Sequence, residues 1–377
     1  MHNSRYTLVC LYYEVPPATW FWLYGSTKCK FAISKVPPPP GISNTNVYSG
    51  PVRISEDKWN KDINVEIVGK VNLTRSREVK GLWMYEKNSP RIELNGQMIR
   101  VASEGINAGY SSRDIFIRGG VITSSVANLN ISSAIPHDSR LILDVSISDN
   151  VYQRVGLFVN RFSGSARGGV VSLDGWAANT FTGDAVVEGP GSTLFLNKYA
   201  GVTAVRSNIY VRNGARVAVA TKDQIADSST VTLVGNGSMF SFAGTKTPAN
   251  EKIHKLVVQS GNGILSFQHF ENEGNRARRL FYFDDLVIAN GASLTVKSWE
   301  AGRDYFLVRK NSPHLKDAFK KLMIEGWGKN QVYLKDYDKD YWSIEAAPEP
   351  STYGTIFGVI GLGIFTWRRR YRMRRPF

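Results

Sequence analysis

Cysteine is nearly missing from this sequence. Cys10 and Cys29 are the only two, and none follows residue 29. Two cysteines near the start define no disulfide framework, and a cysteine-free body neither requires nor excludes an oxidising compartment. Helix-period stretches are almost absent from the body, which reads as mostly β. Histidine is sparse: His2, His137, His254, His269 and His314 are too scattered for metal-ligand spacing. There is no Gly-x-Ser-x-Gly, phosphate loop, dinucleotide fingerprint or RNA- or DNA-binding motif. These absences lead us to expect no catalytic residue, metal, cofactor or nucleic-acid partner, and hence no enzyme.

What is present is most distinctive at the C-terminus. Pro348, Glu349 and Pro350 come first. Each proline fixes its own φ and pushes the preceding residue out of the α region, so Glu349 is held extended and readable. Tyr353 to Trp367 follows without a charge, its apolar face supplied by Tyr353, Ile356, Phe357, Val359, Ile360, Leu362, Ile364, Phe365 and Trp367. As a helix these residues span roughly 22 Å, short of a hydrocarbon core of ~30 Å. Arg368, Arg369, Arg370, Arg372, Arg374 and Arg375 complete the anchor, because arginines snorkel to a cytoplasmic face and Trp367 suits the headgroup level.

This order of motif, short span and basic stop resembles the PEP-CTERM sorting signal of Gram-negative bacteria, over about the last thirty residues. The resemblance implies an exosortase-type membrane protease as partner. It also implies passage through the inner membrane and delivery to the cell surface or extracellular matrix. The chain would be the protease's substrate, with Pro348, Glu349 and Pro350 as the sorting motif.

The formal net charge of the 377 residues is +15, and the six tail arginines leave about +9 on the rest. That excess suits an anionic exopolysaccharide, lipopolysaccharide or phosphopolymer. Export also needs a leader, and residues 1–40 do not read as one. Glu14 and Pro16-Pro17 interrupt the apolar stretch Tyr6–Tyr13, and Lys28 and Lys30 lie on the wrong side of the second. The expectation is a different native start, or a leader lost or replaced. Val36-Pro-Pro-Pro-Pro-Gly41 is a stiff polyproline II spacer and marks a boundary.

Residues 42–310 form the body. Short β-branched runs such as Ile63–Val68, Asp114–Arg118, Leu141–Ile147 and Val217–Val219 alternate with turn residues. Strand cores recur near Val171, Leu194, Ile209, Val231 and Leu256, at a loose and uneven interval. Asn213-Gly214, Gly235-Asn236-Gly237, Gly261-Asn262-Gly263 and Asn290-Gly291 stand between or after them. A period of about 20 residues or more suggests a β-solenoid, whose coils must stack to bury an apolar face. The competing architecture is an antiparallel sandwich with Asn-Gly hairpins.

The text at 171–233 favours the solenoid. Val171-Ser-Leu-Asp-Gly-Trp-Ala-Ala-Asn-Thr-Phe-Thr-Gly183 leads into Ala185–Lys198, Asn208–Gly214 and Gln224–Leu233. It resembles the autotransporter-associated β-strand repeat over about 165–270, with Phe181 in place of the usual Tyr and a looser turn at Pro190-Gly191-Ser192. The resemblance implies a right-handed parallel β-helix passenger.

Residues 311–347 are expected to cap the ladder, with one helix from Ser312 to Ile324, N-capped by Ser312 and with Pro313 at its first position. Three smaller constellations read as structural. Asp336, Asp338 and Asp340 begin like a calcium loop, but Tyr341 stands where glycine is needed and Ala347 where the bidentate glutamate belongs. Asp284-Asp285 reads as a turn, and Arg276, Arg278 and Arg279 as a solvated corner.

The expected function is a non-enzymatic structural or adhesive surface protein. The alternative is a β-helix that binds or degrades polysaccharide, as a lyase-like enzyme does. That enzyme needs carboxylates clustered with a Lys or Arg on one ladder face, and spacing alone assembles no such cluster. A self-translocating autotransporter would need a C-terminal membrane barrel and is rejected.

Overall fold

The computed structural model describes residues 52–347, apart from 85–88, 110, 112, 136–138, 163–164, 166–167, 244–248 and 269–277. The predicted leader region, the sorting motif, the membrane span and the basic stop all lie outside the described residues. Among the described residues, no helix is long and apolar enough to cross a membrane.

The described chain is a β-solenoid of about nine turns. Its strands share one continuous sheet in which nearly every pairing is parallel and joins one coil to the next. The Asn-Gly sites decide between solenoid and sandwich. Asn213 and Gly214 both have positive φ, at 54° and 75°, in the turn between strands Ile209–Arg212 and Arg216–Val219. Those two strands do not pair with each other. Ile209–Arg212 pairs with 185–188 and 231–234, and Arg216–Val219 with 193–196 and 239–242. The turn is therefore a corner between two ladders, where αL backbone is needed, and not a hairpin.

Three ladders run along the stack. The first carries Val187, Val211, Leu233 and Val258 in register. The second carries Leu173, Leu196, Val219, Phe242 and Phe267. The third is broken between 147 and 249, with a bridge Val205–Ile225, and resumes as 249–253, 279–283 and 304–308. Strand residues alternate inward and outward, and the inward ones form the dry core. Thus Leu194 and Leu196 are buried while Phe195 and Asn197 reach the surface. Leu173, Leu196, Val219 and Phe242 follow one another at one constant interval. The looser period read from sequence mixed two ladders: Val171 and Leu194 belong to the second, Ile209, Val231 and Leu256 to the first.

The motif at 179–183 has a physical role. Asn179 is buried; its Oδ1 accepts the Ile147 N–H at 2.9 Å and its amide donates to Ala204 O at 2.9 Å. It replaces ladder bonds between three coils at a corner. A Cβ at Gly183 would collide with the Gly156 main chain, so this close approach requires glycine.

The C-terminal cap corrects one expectation. The helix covers only Leu315–Phe319, and Leu322–Ile324 is a strand paired in parallel with Leu294–Val296. Leu322 and Ile324 are buried and Met323 is exposed, a period of two that a ladder rewards and a helix does not. Ser312 caps no helix; its hydroxyl donates to Asp285 Oδ1 at 2.7 Å. Lys321 Nζ donates to the carbonyls of Ile288 and Ala289 at 2.8 and 3.3 Å, where the first ladder ends. Tyr341–Ala346 then adds antiparallel to Asp304–Arg309 and pairs with Val332–Asp336, closing the third ladder. Parallel growth stops there, which blunts an edge that would otherwise template another chain.

Candidate functional site

Side chains at the corner after the second ladder line a groove of about 600 Å³. Five successive coils contribute: Phe116 and Arg118, then Ile142 and Asp144, then Asp174 to Trp176, then Asn197 to Ala200, then Thr221. Its volume lies in the usual range for a small-molecule site.

The register builds the groove. Asp144 and Asp174 each follow a core leucine, and Leu143 pairs with Leu173, so the two carboxylates emerge side by side on adjacent coils. Asp174 pairs with Asn197 and Gly175 with Lys198. Trp176 and Tyr199 come next on those coils and stack with 17° between their planes. Tyr199 covers one face of Trp176, yet Trp176 remains 71% exposed and Tyr199 47%. A solvent-facing aromatic pair of this size is unusual unless something covers it. Gly175 has φ of +98°, and a Cβ there would collide with the Asp144 carboxylate. Glycine thus lets the acid lie against the main chain at the groove floor.

The polar groups differ in what they have left to offer. Asp174 accepts hydrogen bonds from the Asn197 amide at 2.7 Å and from the Ser172 hydroxyl. The Asp144 carboxylate makes no hydrogen bond among the described residues, and Arg118 is its register partner on the preceding coil. Lys198 is fully buried, and its ammonium donates to Val145 O and Asp174 O, both at 2.9 Å. Burial pushes it down to about 8, against the pull of Asp144 and Asp174. Its backbone N–H donates to Gln224 Oε1 at 2.8 Å. Lys198 therefore ties coils together beneath the groove. Arg118 stacks over Phe116, 4.2 Å from the ring centroid, two coils from Asp174. The arrangement offers an aromatic face, two carboxylates that accept donors, and an amide.

The other constellations are structural. Asp338 Oδ1 accepts the N–H groups of Asp340 and Tyr341 at 2.8 Å each, and Asp336 pairs with Lys310. These aspartates shape a hairpin turn, and among the described residues no group of acids or histidines could hold a metal. Asp284 and Asp285 do not form the expected turn; they sit within the strand Arg279–Ile288, where it passes from the third ladder to the first. Asp285 meets Lys255 at 3.3 Å and His314 at 2.9 Å, and Asp284 meets Arg309 at 3.2 Å. Arg279 is not part of a solvated corner but fully buried, donating to Phe267 O at 3.2 Å. Arg276 lies outside the described residues. Glu251 is buried and accepts the N–H groups of Gln224 and Ile225 at 2.9 and 2.8 Å. Burial raises its pKa well above the ordinary carboxylate value.

The predicted sorting residues and the groove share no residue. Sequence reasoning missed the groove, although a signal for it was there. Trp176 precedes Tyr199, and Asp174 precedes Asn197, by the same interval that separates the core leucines Leu173 and Leu196. That is the core period carried on outward-facing residues. The chain matches no known protein family, no curated protein and no solved structure with which it was compared.

Proposed function

We propose that this chain is an exported surface protein whose solenoid adheres to polysaccharide through the Trp176 groove without cleaving it. The exposed Trp176–Tyr199 stack beside Asp144, Asp174 and Asn197 carries the reading. The C–H face of a pyranose packs on an aromatic ring, and its hydroxyls donate to carboxylates. A fold alone would not support this, since solenoids host both structural and enzymatic roles. Right-handed winding is the usual hand of parallel β connections.

A lyase-like enzyme is the second reading, because the groove unites carboxylates with Lys198 and Arg118 on one ladder face. Lys198 weighs against it. It interacts with both acids, but it is buried and its hydrogen bonds are committed to main-chain carbonyls, so it is poorly placed to take a proton from substrate.

The binding test is affinity electrophoresis of the full chain in gels carrying soluble polysaccharides. Trp176→Ala should weaken retardation at least tenfold, with an unchanged thermal midpoint because the ring is exposed. Unaltered retardation would remove the groove from the binding surface. Release of unsaturated or reducing ends would favour the enzyme.

Sorting belongs to the same proposal and rests on Pro348, Glu349, Pro350, the apolar stretch and the arginines. Mass spectrometry of the secreted form should find a mature end close to Pro348. An intact Phe377 in the inner membrane would point to a plain anchor, and a chain held in the cytoplasm would end the export reading.

A further inference from the structure

We infer that the groove selects polysaccharides of uncharged, hydroxyl-rich sugars and discriminates against uronic acids. This rests on the polysaccharide reading above, and it narrows the anionic partner that net charge alone suggests.

Charge over the whole chain is a poor guide to charge at the site. The groove's floor presents acceptors. The Asp144 carboxylate makes no hydrogen bond among the described residues, although Arg118 is its register partner and Lys198 attracts it, and Asp174 keeps acceptor capacity after bonding Asn197 and Ser172. Both carboxylates lie on the coils next to or bearing Trp176. One face of that ring is taken by Tyr199, so a sugar stacked on Trp176 is held beside the two acids. Neutral sugars bring several O–H donors to such acceptors, and a carboxylate accepting a hydroxyl makes a strong, charge-assisted bond. A uronate at the same place puts its own carboxylate against two others in a half-desolvated recess, where like charges repel strongly.

Two cations could undo this logic. Lys198 attracts both acids from beneath, but it is fully buried and its ammonium donates to Val145 O and Asp174 O, so it presents no donor to a ligand carboxylate. Arg118 is the competitor. It lies two coils from Asp174 and is the register partner of Asp144, with its guanidinium on the Phe116 ring. A groove crossing five coils is about 19 Å long, at roughly 4.8 Å per coil. Arg118 therefore sits about 10 Å along the stack from the coil of Trp176, and the acid on that coil is Asp174.

The test compares retardation of the full chain by neutral galactomannan and mixed-linkage β-glucan with retardation by polygalacturonate and alginate, at 0.15 M salt. At least one neutral polymer should bind ten times or more tighter than either acidic one. Trp176→Ala should abolish that binding, and Lys316→Gln, exposed in the C-terminal cap and outside the groove, should leave it within about twofold. Asp144→Asn should narrow the neutral-over-acidic ratio by improving the acidic side. Preference for an acidic polymer, lost in Arg118→Gln, would overturn the selectivity and keep the polysaccharide reading. Retardation by none of the four would overturn both.

Discussion

Replacing Phe281 by alanine should cost about 4 kcal/mol, near the top of what one core side chain contributes. Phe281 is fully buried at the centre of an aromatic stack inside the C-terminal coils. Its ring lies 3.9 Å from that of Phe242, 4.9 Å from Phe240, 5.4 Å from Phe267 and 5.8 Å from Phe283. Those neighbours are held in register by ladders, so they cannot collapse into the space left behind. Phe281→Leu fills most of that volume and should cost less than half as much. A solenoid is stabilised by nearest-neighbour interfaces, so the damage should be local. Amide exchange should quicken in the strands at 239–242, 249–267 and 279–309 and stay slow in those at 141–147, 170–175 and 193–198. A loss under about 1 kcal/mol, or equal quickening along the whole chain, would show that the stack does not hold these coils together.

How far the sequence revealed this molecule depends on where the ladder rules were broken. Strand-sized β-branched runs and Asn-Gly corners repeat because each coil meets the same two needs, an inward apolar row and a backbone able to turn. Those needs are local, and they made the solenoid legible. The coils near the cap are less regular. Ala249–Ser260 and Arg279–Ile288 each run from the third ladder to the first as single strands. Asp284-Asp285 falls in such a passage and therefore mimics a turn. Lys316 to Lys321 is rich in helix formers, but Leu322–Ile324 gains more from pairing with Leu294–Val296.

The groove escaped notice for a related reason. Its residues come from coils of unequal length: the step from Leu143 to Leu173 is longer than the equal steps from Leu173 to Leu196 and from Leu196 to Val219. The longer coil includes 148–155, in which Val151 and Tyr152 are exposed. Asp144 thus stands off the period that links Asp174 to Asn197. Only the hydrogen-bonded register brings it beside them. Lys198 was also overlooked, since a lysine at a strand end is normally solvated. It keeps the inward parity of Leu194 and Leu196, which places its side chain on the buried row.

Lys198→Met should destabilise the protein by about 3 kcal/mol at pH 7, since it leaves two buried carbonyls without a donor. The methionine keeps the length and apolar character of the stem, so loss of the two hydrogen bonds dominates over loss of volume. The pH dependence gives the sharper signature. Burial lowers the ammonium to about 8 in the folded state, from an ordinary value of 10.5. Between these values the unfolded chain holds one proton more than the native one at this position. Stability contributed by Lys198 therefore rises with pH from about 8 to about 10.5, by at most ~1.4 kcal/mol per unit, and is level below that window. The neutral amine keeps the protons to donate to Val145 O and Asp174 O, so the hydrogen bonds outlast the charge, and relief of desolvation outweighs the lost attraction to Asp144 and Asp174. Denaturant midpoints of wild type and Lys198→Met should run parallel from pH 6 to 7.5 and then diverge, the wild type gaining. A gap that closes over the same range would mean that the charged ammonium is what holds the coils, with Asp144 and Asp174 outweighing desolvation. The groove floor would then depend on an ion pair, and Asp144→Asn would loosen the fold as well as alter the sugar preference.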